Sequence, residues 1–321
     1  MNAIGPISLE AIESARDRIT GAAVRTPLIR LDVTSDAEIW LKLECLQPIG
    51  SFKIRGAANA MALADPAELA RGVYTVSAGN MAQGVAFNAR RLGVECRVIM
   101  PDTAPRTKFE AVERLGAVSV PVPFDEWWDV LLNHGHPNES GFFVHPVSDP
   151  AVIAGNGTVG LEILEDLPEV DTIIVPYGGG GLSCGIASAV RAHRPEVRIA
   201  ASEVDTAAPF AASLEAGKPV SVERAQTFVD GIGGKSVLDE MWPLASTLLE
   251  GSRVVSIENI CEAIRLLVSR AHVSAEGAGG SAVAAALAHA SPGERIVAVV
   301  SGGNIDTEVL RTILSGKTPG A

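Results

Sequence analysis

The sequence predicts an α/β fold in which parallel sheets are covered by helices, and three observations carry that reading. Short apolar runs rich in β-branched residues alternate with longer segments of helical apolar spacing along most of the chain. Alternation of this kind is what strand–helix–strand crossovers require, since each helix returns the chain to start a parallel neighbour. The 321 residues, 47% hydrophobic and 20% charged, are enough for one large domain or two modest ones.

Taken in order, the apolar spacing predicts a first helix over 8–20, then a strand at IWLKL (39–43) and a helix over 52–64. VYTV (73–76), CRVIM (96–100) and VSVPV (118–122) predict strands, with helices over 81–92 and 107–116 between them. The polar stretch NHGHPNESG (133–141) predicts a loop and a place where the chain passes between lobes. Helices over 150–165 and 182–193 frame the strand TIIV (172–175), and RIAA (198–201) follows. Helices over 258–270 and 278–289 precede the last strand, IVAVV (296–300). No internal repeat or low-complexity tract interrupts the pattern.

A formal net charge of −12 argues against nucleic acid and anionic membranes as partners, because both need a basic surface, and leaves a small-molecule ligand as the expectation. Cys45, Cys96, Cys184 and Cys261 lie far apart with no CxxC or Cys/His spacing, so they read as core thiols of a reducing compartment. MNAIGPISLE has neither a basic n-region nor an apolar h-region, and no apolar run reaches membrane-spanning length, so a cytoplasmic location is expected.

The chemistry concentrates in loops that follow strands, where ligands of open α/β sheets sit. In VPYGGGGLSCG (175–185), four glycines stand between a β run and a helix start. Backbone N–H groups there can surround a phosphate with no side chain in the way, whereas the bland alternative is tight backbone packing. The run fits neither GxGxxG with a downstream acid nor the GK[ST] ending of a nucleotide loop, which disfavours nucleotides. GSFKIRGAANA (50–60) sets Lys53 among small and apolar residues at a helix opening; alone, such a lysine reads as a solvated side chain. SAGNMAQGVA (77–86) and SGGN (301–304) are small-residue loops directly after predicted strands.

In this order, SFKIRGA, SAGN, GGGGL and SGGN, with RTPLIRL (25–31), HPVSDPAVIAGNGT (145–158) and AEGAGG (275–280), resemble the fold type II pyridoxal-phosphate enzymes, the tryptophan-synthase-β-like group, in its threonine dehydratase and serine racemase branch. The resemblance covers nearly the whole chain. It implies two lobes with the cofactor in the cleft between them: a large lobe of residues 1–66 and 148–321 and a small mobile lobe of 67–147. It implies pyridoxal phosphate as cofactor, an amino acid as substrate and a homo-oligomer, and the chain's end soon after SGGN implies no regulatory domain of the biosynthetic type. Lys53 is then the lysine that carries the cofactor, with Phe52 stacked near its ring. Asn80 is placed at the ring hydroxyl, Gly178, Gly179, Gly180, Gly181 and Leu182 at the phosphate, and Ser301 at the ring nitrogen. A serine there does not keep that nitrogen protonated, which favours β-elimination or replacement over transamination. Ser77, Asn80 and the Met81 backbone are implied for the substrate carboxylate. Glu276 corresponds to a glutamate near the cofactor or ion region, Asn156 borders the phosphate side, and His145 reads as structural.

Departures from the family pattern refine the expectation. Ala78 stands where racemases carry a serine that serves as second base, so racemization is not expected. Met81 stands where histidine is common and Trp128 where racemases carry an arginine, so Trp128 and Met81 together are expected to form an apolar wall for a bulky β-substituent, as in a phenylserine-type dehydratase; the alternative for the tryptophan is core packing. Glu203 and Ala207 match two positions of the cation pattern of metal-binding members, but Pro209 occupies the third. A monovalent or divalent cation there and a plain strand-end surface carboxylate both stay open. The expected activity is a dehydratase acting on threonine, serine or 3-phenylserine. β-Replacement, racemase and non-enzymatic ligand-binding readings on the same fold are the alternatives.

Overall fold

In the computed structural model, which describes residues 3–320, two sheets organise the chain. The strands are β1 (Leu28–Arg30), β2 (Glu38–Lys42), β3 (Val73–Val76), β4 (Cys96–Pro101), β5 (Val118–Val122), β6 (Phe142–Phe143), β7 (Thr172–Pro176), β8 (Arg198–Val204), β9 (Gly251–Val255) and β10 (Arg295–Val299). The larger sheet has the order β1-β2-β10-β7-β8-β9, with only β1 antiparallel to its neighbour. The smaller has the order β5-β4-β3-β6 and is parallel throughout. Every residue of β3 and β7 is buried, as parallel strands covered on both faces should be. Among the described residues no helix is long and apolar enough to cross a membrane.

The strands predicted from apolar runs all form, and the differences have physical causes. β1 and β6 have three and two residues, too few to show a period. β9 lies at a sheet edge with most residues half exposed, so it lacks a continuous apolar run. Helices at Pro66–Leu69, Pro209–Ala216 and Trp242–Leu248 are short and open with proline in the first turn, where it is tolerated, although in sequence it reads as a breaker. The stretch 133–141 does not carry the chain between lobes: it joins the Phe124–Leu132 helix to β6, and both belong to the smaller sheet's layer. The chain returns to the larger sheet only after β6.

Three helices of small residues join the layers. Ala57, Ala60 and Met61 of the Lys53–Leu63 helix share one apolar cluster with Val85 and Ala89 of the Asn80–Leu92 helix and with Val152 of the Pro150–Asp166 helix. A Cβ on Gly155 would come within 2.6 Å of the Arg55 carbonyl, so only glycine permits that approach.

Beneath the Lys53–Leu63 helix lies a buried ion network. Arg55 donates to both oxygens of Glu44 at 2.8 Å and to both oxygens of Glu162 at 2.7 and 2.9 Å. Lys42 Nζ reaches Glu162 at 2.6 Å, and Thr26 Oγ1 donates to Glu44 at 2.6 Å. Burial alone would raise the Glu44 carboxyl; Arg55 more than reverses this and leaves it below its ordinary value. Arg55→Met should leave two buried carboxylates without their main partner and cost about 3–5 kcal/mol, read as a lower urea midpoint at unchanged slope. A loss under about 1 kcal/mol would show that the network is not holding this helix.

Candidate active site

β2, β10 and β7 are adjacent and parallel, so their carboxyl ends deliver three loops to the same edge of the larger sheet. The loop after β2 leads to Lys53, the loop after β10 is SGGN and the loop after β7 is the glycine run. Backbone bonds weave the first two together: Val300 N–H donates to Lys42 O at 2.9 Å, Phe52 N–H to Ser301 O at 3.0 Å and Gly303 N–H to Gly50 O at 2.8 Å. From the smaller sheet, the loop after β3 brings Ser77 to Asn80, with Ser77 Oγ accepting the Gly79 N–H at 3.1 Å.

Lys53 opens its helix and keeps part of its surface on the cleft, with Nζ donating to the Pro146 carbonyl at 2.6 Å and lying 5.3 Å from the Phe52 ring centre. Its amine is displaced from water on most sides, and burial lowers its pKa to about 8, with the Glu276 charge opposing the shift. Burial raises Glu276 to about 7, partly offset by the Asn80 hydrogen bond. Asn80 Nδ2 donates to Glu276 at 2.8 Å and Asn80 Oδ1 accepts from Asn304 at 2.7 Å, which leaves the second amide hydrogen of Asn80 available.

The glycine run forms a concave turn into the Gly181–His193 helix. Gly180 has φ of 92°, a left-handed conformation that a side chain would strain. A Cβ on Gly179 would stand 2.5 Å from the Val147 side chain, and one on Gly178 2.9 Å from the Gly231 carbonyl. The first N–H groups of the helix, beginning at Gly181 and Leu182, have no intrahelical acceptor and make an anion site. Asn156 Nδ2 donates to Gly181 O at 3.4 Å, while its Oδ1 is buried without a partner. Among the described residues, Ser51 Oγ and Tyr177 Oη are likewise buried and unpaired, and all three belong to segments that build this floor. A buried amine, a glycine-lined anion cradle and orphaned polar atoms fit a phosphate-bearing aldehyde cofactor.

The structure thus brings Phe52, Lys53, Asn80, Gly178 to Leu182, Glu276 and Ser301 to one cleft, with Ser301 buried at the end of β10. It does not form the expected wall of Met81 and Trp128. Met81 is 1% exposed, in the cluster with Val73, Val98 and Met100, whereas Trp128 packs against Tyr74, Val76 and Ile99. Since side chains alternate along a strand, these are opposite faces of the smaller sheet, and the Met81 side chain is core. Glu203 is no surface carboxylate: it is fully buried, and its oxygens accept from the N–H groups of Phe210 and Ala211 at 2.8 Å and from Ser252 Oγ at 2.6 Å. It holds the Pro209–Ala216 helix start, while Ala207 is buried beside the turn; this donor set does not fit a cation. His145 accepts the N–H groups of Val147 and Ser148 at Nδ1, at 3.1 and 2.8 Å, which leaves its proton on Nε2 facing the Leu131 carbonyl at 3.1 Å. Burial, reinforced by His134, lowers its pKa to about 3, so it is a neutral structural group. The Pro146 carbonyl and Val147 were not legible as site elements, because a backbone acceptor and an apolar floor leave no motif.

Comparison with known proteins agrees with this geometry. A family model described as "Pyridoxal-phosphate dependent enzyme" matches residues 19–302. An L-threonine ammonia-lyase of Thermotoga maritima is 40% identical over 315 residues, covering 96% of this chain and 78% of the relative. The catabolic L-threonine dehydratase of Escherichia coli is 36% identical, covering 94% of each chain. Among solved structures, maize serine racemase superposes with a TM-score of 0.89 at 32% identity, covering 97% of this chain and 98% of that one.

The lowered amine has a direct test. Since only the neutral amine is nucleophilic, trinitrobenzenesulfonate labelling of Lys53 in cofactor-free protein, read by peptide mass spectrometry, should rise with pH through about 8. A midpoint near the free-lysine value of about 10.4 would mean that the amine is not desolvated.

Proposed function

The chain belongs to the pyridoxal-phosphate-dependent enzyme family, and from that membership we propose that it is a dehydratase that converts a β-hydroxy-α-amino acid, threonine or serine, to a 2-keto acid and ammonia by β-elimination. The single observation that carries the reading is the desolvated Lys53 amine set at the same sheet edge as the glycine cradle. The names of the relatives supply the substrate class.

In this reading Lys53 would carry the cofactor, Phe52 would flank its ring, Gly178 to Leu182 would hold its phosphate, the free amide hydrogen of Asn80 would serve the ring hydroxyl and Ser301 the ring nitrogen. When bound, pyridoxal phosphate supplies an electron sink for the carbanion at Cα, and a serine rather than a carboxylate at the ring nitrogen suits that sink to elimination. Ser77 and the backbone N–H groups of Asn80 and Met81 hold the substrate carboxylate at the start of the Asn80–Leu92 helix, where N–H groups are free and the helix dipole favours an anion. Lys53, neutral in a large fraction near pH 8, takes the proton from Cα. The Pro146 carbonyl, 2.6 Å away, holds the amine when it is charged. Ala78 offers no proton on the opposite face of Cα, so the substrate has no route to the D-amino acid. Closure of the 67–147 lobe, a cytoplasmic location and a homo-oligomeric state belong to the same proposal.

Keto-acid release from the cofactor-loaded protein should be seen with L-threonine or L-serine and should fall by at least about 100-fold in Lys53→Ala. Failure of both substrates would end the dehydratase reading. L-threo-3-phenylserine belongs in the same assay: with Met81 in the core, its turnover should not exceed that of threonine, and a clear preference for it would restore an aromatic pocket at Trp128.

A further inference from the structure

The lobes touch through more than their shared helices. With the smaller lobe taken as 67–147, two contacts between basic and acidic side chains among the described residues cross to the larger: Lys108 with Asp230, and His134 Nε2 with Glu240 Oε1 at 3.4 Å. Both end on one segment, 217–241, which runs between the Pro209–Ala216 and Trp242–Leu248 helices with no regular element beyond an isolated bridge. Irregular segments longer than about 15 residues are uncommon inside compact folds and are usually functional.

The middle of that segment also lines the site. The Gly231 carbonyl lies 2.9 Å from where a Cβ on Gly178 would stand, and a Cβ on Gly231 would stand 3.5 Å from Glu276 Oε1. Val229 packs on Gly277, the residue after Glu276. Asp230, between them, therefore connects the glycine cradle and Glu276 to whatever it holds on the other lobe. It holds Lys108, from the first turn of the Arg106–Glu113 helix, which follows β4 of the smaller sheet. Beside it the Asn80–Glu276 bond makes a second crossing.

We propose that Lys108 and Asp230 form the latch that holds the smaller lobe against the larger over a bound amino acid, which makes Lys108 a positioning residue for the reaction assigned above. Its effect reaches the site through Asn80, which must lie against Glu276 for the carboxylate-binding loop to face Lys53. The same two charges act on Glu276 in opposite senses, Asp230 raising its pKa and Lys108 lowering it, so parting the pair also alters the charge at the cleft. The pair is partly exposed, so its influence is a matter of a few-fold in the closing equilibrium.

The kinetic arm of the test rests on the dehydratase reading; the exchange arm does not. In the cofactor-loaded holoenzyme, Lys108→Asp and Asp230→Lys should each raise KM for L-threonine by about 3–10-fold with kcat within about 2-fold. Each should also speed amide hydrogen exchange across 106–113 and 228–235 in the presence of L-alanine, which has no β-leaving group. The double charge swap should bring both readouts back to within about 2-fold of wild type. Lys108→Gln, which adds no repulsion, should move both in the same direction by less. A swap as impaired as the worse single variant, or single variants with wild-type exchange, would overturn the latch. If wild-type protein releases no keto acid, the dehydratase reading fails and exchange alone decides the latch.

Discussion

Everything in the cleft is referred to the position of one helix, and that helix is set by the Arg55 guanidinium. Lys53 and Arg55 lie two residues apart at its start, so the fork that binds Glu44 and Glu162 fixes the direction in which the lysine leaves the backbone. Glu44 follows β2 and Glu162 lies in the Pro150–Asp166 helix, so three elements distant in sequence converge on one cation. A hydrophobic cluster of the same volume could be as stable or more so. What the ion network adds is geometry: a planar fork with two bidentate partners admits few orientations, whereas apolar packing tolerates several.

From that fixed point the parallel sheet does the rest. Because β2, β10 and β7 run side by side in one direction, the amine, the buried serine loop and the glycine run must emerge together. Parallel register alone brings the three loops to one edge, and the backbone bonds between the Gly50–Phe52 and Val300–Gly303 segments complete it. The smaller sheet contributes its β3 loop and, just after β6, the Pro146 carbonyl and Val147, which makes its placement a question of how the two layers meet rather than how either folds.

How much of this the sequence showed follows from what each part depends on. The Lys53 helix, the glycine run and SGGN were legible because each joins a local period to a small-residue loop, and glycine is demanded there by a positive φ or by a close approach. β6 and β9 were not, since one has two residues and the other sits half exposed at an edge. Met81 misled for a related reason: at a helix start facing a cleft, its neighbours in sequence point to the ligand, but its own side chain follows the helix face toward Val98 and Met100. Glu203 misled because the matched spacing recorded the turn after β8, and here that turn places helix N–H groups where a cation's ligands would converge.

The acid–base state of the cleft is set by the same economy of partners. Lys53 and Glu276 are shifted toward neutrality from opposite sides, the amine to about 8 and the carboxyl to about 7, and in each case burial is the largest cause. Each group's charge, when present, opposes the other's shift, as a lesser cause than burial. The charged partners available to tune them are few. His145 is held neutral by burial, and the Pro146 carbonyl can only accept. Among the described residues Asn80 is the one side chain that hydrogen-bonds Glu276, and its bond lowers the carboxyl's pKa. The Asn80 bond thus favours the ionised carboxyl against burial, and an ionised carboxyl in turn raises the affinity of Lys53 for its proton. The Asn80–Glu276 bond and the proton at the lysine are thus linked, with Glu276 as the group they share.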